Sequence, residues 1–356
     1  IMACQPVALL AWLRDHEPDV VKNIRWIFAC KDYVRFRLTG EAWAEITDYS
    51  GANLVNLHTG QYDDELLALF GLGDLRQALP PLCGSAQICG RITEEAACKC
   101  GLNAGTPVVG GATDGTASAI AAGAVRVGSW ASIIGTTFVL KGVTRELVID
   151  PNGSSYSHRL PGGEWLLGGA GNVGGKCLTL AADGRSYAEI NAEAEKLIPT
   201  GARCYPLSGK GERFPFVDSE FEGFYFGDIL GKRLYPALME GVGFVERLSF
   251  ERMQALGCMV GDTICVSGGV CKSDVWLKIR ASILNRRLAV PKVAEAAMGS
   301  ALLAAIGEMG SVADAAENMI AFERTVEPDA RLVSAYEEIY DQFKREFTFV
   351  HSGGTR

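Results

Sequence analysis

The sequence lacks any apolar run that approaches the roughly 20 residues of a membrane-spanning helix. It opens with no signal peptide pattern and contains no solenoid repeat or low-complexity linker. Histidine is scarce, and none of the four lies beside a candidate nucleophile, so we interpret them as surface or loop residues: His16, His58, His158 and His351. These absences predict a cytoplasmic protein with no membrane partner.

Basic residues are outnumbered, with 34 Lys and Arg against 42 Asp and Glu, and the net charge of -8 disfavours nucleic acid as a partner. We interpret this negative net charge as the ordinary surface charge that keeps a protein in solution. Eleven cysteines are present, but Cys98 and Cys100 form a C-x-C pair without a second pair at zinc-ligand spacing. We therefore expect reduced, mostly buried thiols and no metal bound by cysteine.

Apolar residues make up 48% of the 356 residues, and 42 glycines accompany them, which is typical of an α/β core with many turns. The length allows two domains. Strands and helices alternate over residues 126–330, and an amphipathic helix is predicted over 332–347. We predict a first lobe of residues 1–125 and a second of residues 126–356.

One acidic residue lies in a glycine-rich turn between a predicted strand and a predicted helix. The apolar run 106–109 predicts a buried strand, and the small residues after Asp114 predict a helix. Glycine lets the backbone turn tightly and lets a ligand approach, so this turn could present the carboxylate of Asp114 to a substrate. The alternative is that Asp114 only caps the following helix.

A second loop follows about twenty residues later. Residues 130–134 predict a strand, Gly135, Thr136 and Thr137 a tight turn, and residues 138–140 a returning strand. Such a turn offers backbone N–H groups and two hydroxyls to an anion. The alternative is an ordinary polar hairpin turn.

A third loop joins a predicted strand that begins at Ile264 to a predicted helix. The Gly268–Gly269 turn lies between them, and Ser273 could cap the helix. Helix N-termini after glycine turns favour phosphate groups. Together, the three loops indicate a nucleotide held between two α/β lobes.

Five segments, in order, resemble motifs of the FGGY family of carbohydrate kinases, which share the actin-like ATPase fold. They are KDYVRFRLTG at 31–40, TDYSGA at 47–52, GLNAGTPVVGG at 101–111, PLSGKGERFP at 206–215 and MEGVGF at 239–244. The N-terminal half is most similar to the xylulose kinases, especially the L-xylulose type. The resemblance implies a two-lobed α/β, ribonuclease H-like fold.

The family pattern opens with a strand, a phosphate-binding Asp-x-Gly-Thr turn and a sugar-contacting stretch, none of which resembles any part of this sequence. The resemblance therefore implies a first lobe lacking its N-terminal part, since residues 1–4 already adjoin a helix well inside the pattern. If this sequence is complete, one wall of the nucleotide cleft is absent, and we expect inefficient turnover.

The resemblance also assigns roles. Asp114 would be the general base, and Gly135, Thr136 and Thr137 would bind the ATP phosphates. Further nucleotide contacts are implied at Gly174, Gly268, Gly269 and Ser273. Mg²⁺ would bridge the phosphates, with no protein metal site, and the lobes would close about residues 123–128.

The implied reaction is ATP-dependent phosphorylation of a sugar hydroxyl, with a ketopentose such as L-xylulose as the first choice. Two alternatives stay open, namely a catalytically silent sugar- or nucleotide-binding protein and an actin-like ATPase of another type. A homodimer also stays open. Leu178 stands where some family members carry glutamine, which leaves the adenine contacts undefined.

Overall fold

A computed structural model describes residues 5–352. The helices are α1 (Pro6–His16), α2 (Pro18–Lys22), α3 (Cys30–Thr39), α4 (Ile46–Gly51), α5 (Asp64–Leu69), α6 (Glu94–Cys100), α7 (Asp114–Ala121), α8 (Lys176–Ala182), α9 (Tyr187–Glu195), α10 (Leu234–Ala255), α11 (Asp274–Leu284), α12 (Ala296–Met309), α13 (Val312–Met319) and α14 (Ala330–His351). Short 3₁₀ turns cover Gly73–Ala78, Gly231–Arg233 and Gly269–Lys272.

The strands are β1 (Ala44–Glu45), β2 (Val55–Asn56), β3 (Gln61–Tyr62), β4 (Leu82–Cys83), β5 (Ile88–Arg91), β6 (Pro107–Val109), β7 (Trp130–Ile134), β8 (Phe138–Thr144), β9 (Tyr156–Arg159), β10 (Trp165–Gly171), β11 (Arg203–Tyr205), β12 (Phe224–Phe226), β13 (Thr263–Ser267), β14 (Arg287–Pro291) and β15 (Phe322–Val326). Seven of them form one mixed sheet in the order β15-β14-β13-β7-β8-β10-β9.

The direction of the strands brings several loops to one edge of this sheet. Strands β14, β13 and β7 are mutually parallel, and β8 returns antiparallel to β7. Strand β10 is antiparallel to β8, with Gly171 opposite Phe138, so it runs in the same direction as β7. The loops that follow β7, β10, β13 and β14 therefore leave the same carboxyl edge, where open α/β sheets bind their ligands.

Helices cover both faces of the sheet because successive side chains along each strand point to opposite sides. Trp130, Leu140 and Leu167 pack with α10, α11 and α14 in the largest apolar core. Ala131 and Leu166 pack with α7 and α12 on the other face. The three-layer arrangement confirms the predicted α/β class.

Residues 7–82 build a smaller core of their own. It joins α1, α4 and the short β2–β3 hairpin through buried residues such as Val7, Tyr49, Leu54 and Tyr62. The strand predicted at 106–109 is present as β6 but is not buried. Among the described strands it pairs only with β5, and its side chains are exposed or half-exposed.

The predicted boundary after residue 125 falls next to a helix that packs on the second lobe. Gly299 of α12 lies against the backbone of α7, where a Cβ at Gly299 would be 1.9 Å from the carbonyl oxygen of Ala117. The small residues of α12 thus allow it to pack tightly against α7. The division into 1–125 and 126–356 stays a prediction.

The closing helix has the predicted stripe. Leu332, Tyr336, Tyr340 and Phe343 of α14 are buried against α10 and α11. Within the described residues, no single helix has the length and apolarity to cross a membrane. Only α12 and α13 taken together reach that composition, and they are bent by 112° at their junction.

The ten cysteines of the described chain are all free, and six of them are buried, as expected. Across residues 5–352, no group of three or more His, Cys, Asp or Glu side chains has metal-binding geometry. His158 does not follow the expectation of surface or loop histidines. It lies in β9 with its ring beside α4, where its Nδ1 is 3.3 Å from the carbonyl oxygen of Thr47.

Candidate active site

The Gly135–Thr137 turn joins β7 to β8 at the carboxyl edge of the sheet. It is closed by a hydrogen bond from the Gly135 N–H to the Thr137 carbonyl, 3.0 Å. Within residues 5–352, the N–H groups and hydroxyls of Thr136 and Thr137 form no hydrogen bond. Since Gly135 and Thr136 are exposed, these donors are available to an anion.

The turn after β10 packs directly on this first turn. A Cβ on Gly174 would be 2.6 Å from the Thr136 carbonyl oxygen and 2.6 Å from the Thr137 Cα. The Gly175 N–H donates to the Gly135 carbonyl at 2.8 Å, and the Lys176 N–H donates to the Thr136 carbonyl at 3.2 Å. Glycine is thus required at 174 because two backbones touch there.

Gly268 lies at another close contact between two backbone segments. Its φ of +96° favours glycine, and a Cβ there would be 2.3 Å from the carbonyl oxygen of Ile134, next to the first turn. Gly269 is different, since a Cβ there would have no neighbour within 4 Å. Gly268 is therefore needed for packing, whereas Gly269 leaves open space beside the turn.

Ser273 takes the capping position that the sequence predicts. Its hydroxyl accepts a hydrogen bond from the Trp276 N–H at 3.3 Å, at the start of α11. Leu178, in α8, is buried in the main core, so its side chain is directed away from any ligand on the surface.

Asp114 is the first residue of α7, and its side chain is exposed. The alternative that Asp114 is the helix cap is wrong, because the N-cap is Thr113, whose hydroxyl accepts from the Thr116 N–H at 3.1 Å. The carboxylate of Asp114 accepts only the adjacent Gly115 N–H, 2.7 Å, within the described chain. Its other oxygen is free for a substrate.

Helix α12 places Asp114 at the same edge as the three glycine loops. It begins five residues after β14 ends, and β14 ends at the carboxyl edge. Gly299 and Ala117 are each three residues from the starts of α12 and α7, and they touch. At 1.5 Å of rise per residue, Asp114 is within about 5 Å along the helix axis of this contact.

A buried charged network supports the backbone just before Asp114. The Arg35 guanidinium is 2.9 Å from Asp32 and donates to the carbonyl of Gly110 at 2.6 Å. The Gly111 N–H donates to the Ser85 carbonyl at 2.8 Å, and the Ser85 hydroxyl donates to a Glu45 oxygen at 2.6 Å. These contacts fix the direction in which the chain enters α7.

Lys31 completes this network. Burial lowers the pKa of Lys31, but the carboxylates of Glu45, Asp32 and Asp48 outweigh burial and hold that pKa above its ordinary value. Its ammonium lies 2.9 Å from Asp32 and 3.3 Å from both Glu45 and Asp48. Residues of the 31–40 and 47–52 motifs thus support the turn that leads to Asp114.

A second unusual basic group lies on the sheet face nearest to α4. The Lys141 side chain crosses Gly168 and ends 4.0 Å from the ring centre of Tyr156, without a hydrogen-bond partner in the described chain. Burial lowers the pKa of Lys141 to about 7, and burial together with Lys141 lowers the pKa of His158 to about 4. Nothing in the sequence pattern pointed to Lys141.

The glycine loops and Asp114 lie at one edge of the sheet of an α/β protein, and comparisons with known proteins identify its family. The model "FGGY family of carbohydrate kinases, N-terminal domain" matches residues 1–121, and the corresponding C-terminal domain model matches residues 130–308. The chain belongs to the FGGY family of carbohydrate kinases. It is a sugar kinase that uses ATP, and the predicted actin-like fold is confirmed.

Individual relatives agree with this family. The L-xylulose/3-keto-L-gulonate kinase of Escherichia coli (strain K12) is 32% identical over 356 residues, which cover 95% of this chain and 70% of the relative. The xylulose kinase of Bacillus subtilis (strain 168) is 30% identical over 361 residues, which cover 95% and 70%. The crystal structure of xylulose kinase from Rhodospirillum rubrum superposes with a TM-score of 0.87 at 26% identity, covering 99% of this chain and 73% of that chain.

Proposed function

We propose that this kinase phosphorylates a ketopentose of the xylulose type, with L-xylulose as the first choice. The names of the two relatives just described support this substrate class. A gluconokinase of Bacillus licheniformis is also similar, at 25% identity, so the sugar must be measured directly. Phosphorylation of D- and L-xylulose, L-ribulose, gluconate and glycerol with ATP tests the choice, and a clear preference for gluconate or glycerol would refute it.

The observation that carries the site proposal is the meeting of three glycine loops and the start of α7 at one edge of the sheet. In the proposed reaction, Asp114 accepts the proton of the sugar hydroxyl as its oxygen attacks the γ-phosphorus of ATP. The bond from that phosphorus to the bridging oxygen breaks, and ADP leaves. Orientation supplies most of the rate because the transition state is loose.

We assign the ATP phosphates to the free N–H groups and hydroxyls of Thr136 and Thr137, with Gly135 leaving the turn uncovered. Gly174 and Gly268 hold that turn from two sides. Gly269 leaves room for the adenosine, and Ser273 orients the start of α11 beside it.

We infer that Mg²⁺ accompanies ATP. The described residues contain no cluster of three ligands, whereas Mg²⁺ is commonly held by phosphates, waters and one or two carboxylates. Since the Asp114 carboxylate is assigned to the sugar proton, the phosphates and waters would supply most of the Mg²⁺ ligands. When bound, Mg²⁺ neutralises charge on the phosphates, and the protein groups position the nucleotide and the sugar.

We further propose that lobes 1–125 and 126–356 close about residues 123–128 during turnover. Gly123 (φ +101°) and Gly128 (φ +85°) have backbone angles that favour glycine at both ends of this segment. We also propose that the protein is cytoplasmic and forms a homodimer. Sedimentation of the purified protein tests the homodimer.

Substitution of the general base is the direct test. Asp114→Asn keeps the side-chain volume but cannot accept the proton, so we expect kcat to fall about 10²- to 10⁴-fold while ADP and sugar affinities change little. Asp64→Asn is the matched control, because Asp64 is also the exposed first residue of a helix, α5. Turnover of Asp114→Asn at the control's rate would remove Asp114 from this role.

A further inference from the structure

The Glu212 carboxylate lies inside the protein without a basic partner. It is 3% exposed and forms no ion pair within residues 5–352. One oxygen accepts the N–H groups of Asn172, 2.7 Å, and Arg213, 2.9 Å, and the other accepts the Tyr205 hydroxyl at 2.9 Å. An unpaired buried carboxylate is costly unless its hydrogen bonds are satisfied, as they are here.

These bonds tie two loops that are about forty residues apart in the chain. Asn172 begins the turn after β10, and its side-chain amide donates to the Gly211 carbonyl at 2.9 Å. A Cβ on Gly171 would be 2.7 Å from the Phe214 carbonyl oxygen, so the two backbones also touch. The 211–214 segment thus holds the start of the turn by its backbone and by Glu212.

The same turn ends on the phosphate-binding loop. Two residues after Asn172, Gly174 lies against the backbone of Thr136 and Thr137, and Gly175 donates to the Gly135 carbonyl. The connection is short and made of backbone contacts, so a shift at Asn172 passes to the Gly135–Thr137 turn. Burial raises the pKa of Glu212 above its ordinary value. The hydrogen bonds from Asn172, Arg213 and Tyr205 lower this pKa, but by less than burial raises it.

We propose that Glu212 is a positioning residue for phosphoryl transfer, which acts by holding the Asn172–Gly175 turn against the Gly135–Thr137 turn. It does not touch the substrates. The inference rests on the proposed nucleotide site and explains why the 206–215 motif carries a glutamate that forms no ion pair within the described part of the chain. A displacement near 1 Å of groups that bind the reacting phosphate costs about 100-fold in rate.

The test compares two substitutions at 212. Glu212→Met is similar in length but leaves the Asn172 and Arg213 N–H groups unpaired, and we expect kcat/KM for ATP to fall about 10- to 100-fold with KM for the sugar within twofold. Glu212→Gln keeps an oxygen for both N–H groups, and its NH₂ can donate to the Tyr205 oxygen. We expect it to restore the ATP parameters to within about fivefold of wild type.

Two further variants keep the test decisive if Glu212→Met folds poorly. Asn172→Ala removes only the bond to Gly211 and should raise KM for ATP by about fivefold, as the loss of one hydrogen bond predicts. Tyr205→Phe removes the bond to the Glu212 oxygen that binds neither Asn172 nor Arg213, and should leave the ATP parameters within twofold. Equal loss in Glu212→Gln and Glu212→Met, or wild-type ATP parameters in Asn172→Ala, would overturn the proposal.

Titration of ADP by calorimetry separates this inference from the proposed function. If the wild-type protein phosphorylates no sugar of the panel but binds ADP, the proposed function fails, and the ADP affinities of the variants still test Glu212. If the wild-type protein is an active kinase and Glu212→Met keeps both its ADP affinity and its kcat, the positioning role is refuted.

Discussion

Substitution of Gly174 by alanine tests the close packing of the two turns. The new Cβ would be 2.6 Å from both the Thr136 carbonyl oxygen and the Thr137 Cα, whereas ordinary van der Waals contact begins at 3.4 Å. The backbone must therefore yield by about 0.8 Å, the difference between these distances. Both neighbours are backbone atoms, so no side-chain rotation can relieve the contact.

This shift falls on the groups proposed to bind the ATP phosphates. Overpacking of this kind costs about 1–3 kcal/mol of stability. A displacement near 1 Å at the reacting groups costs about 100-fold in rate, so we expect kcat/KM for ATP to fall about 30- to 100-fold in Gly174→Ala. The KM for the sugar should stay within twofold, because the altered turn is proposed to contact only the nucleotide.

The assay is steady-state ADP release at saturating sugar over a range of ATP concentrations, with thermal unfolding measured in parallel. Gly307→Ala is the matched control, since Gly307 lies within α12 with no atom within 4 Å of its Cβ position. It should keep full activity and gain about 0.5–1 kcal/mol of stability. Wild-type ATP kinetics in Gly174→Ala would refute the packing argument.

Two further predictions concern the turn and the buried amine. Thr136→Val removes a hydroxyl but keeps the shape, so KM for ATP should rise about tenfold, equivalent to about 1.4 kcal/mol, while sugar affinity measured by calorimetry stays unchanged. An unaltered KM for ATP would remove the hydroxyl from the phosphate site. Burial lowers the pKa of Lys141 from 10.5 to about 7, so between these values the unfolded chain holds a proton that the folded chain has lost. The wild-type free energy of unfolding should therefore rise with pH across that window. Lys141→Met should flatten the rise and be more stable than wild type below pH 7, as urea titrations at pH 6, 8 and 10 would show; parallel curves for the two proteins would contradict it.

Local pattern was enough for the elements around the site. Apolar runs and glycine turns predicted β7, the Gly135–Thr137 turn and β8, and the capping chemistry of Ser273 predicted the start of α11. These features depend on a few neighbouring residues, because the side chain of each residue sets its local backbone preference. The alternative that Asp114 only caps α7 was wrong by one position, because the adjacent Thr113 is the cap.

The roles of Gly174 and Gly268 show what local pattern leaves open. Sequence reasoning explained such glycines by the approach of a nucleotide, but their missing side chains are required by backbone atoms of Thr136 and Ile134. These partners are distant along the chain and meet only because β7, β10 and β13 run in one direction in the sheet. The pairing register of the strands decides such contacts, and a short window of sequence does not specify that register.

The sequence by itself determined the family and the positions of the turns, because ordered motifs and glycine positions are local properties, and it led to the proposal of Asp114 as the general base. Tertiary structure alone decided that Arg35 and Ser85 support the turn before Asp114, that Glu212 is bound to Asn172, and that Lys141 is buried without a hydrogen-bond partner among residues 5–352. The physical reason is that burial and hydrogen bonding between distant residues arise from packing of whole elements, which exists only once the sheet and its helices have assembled.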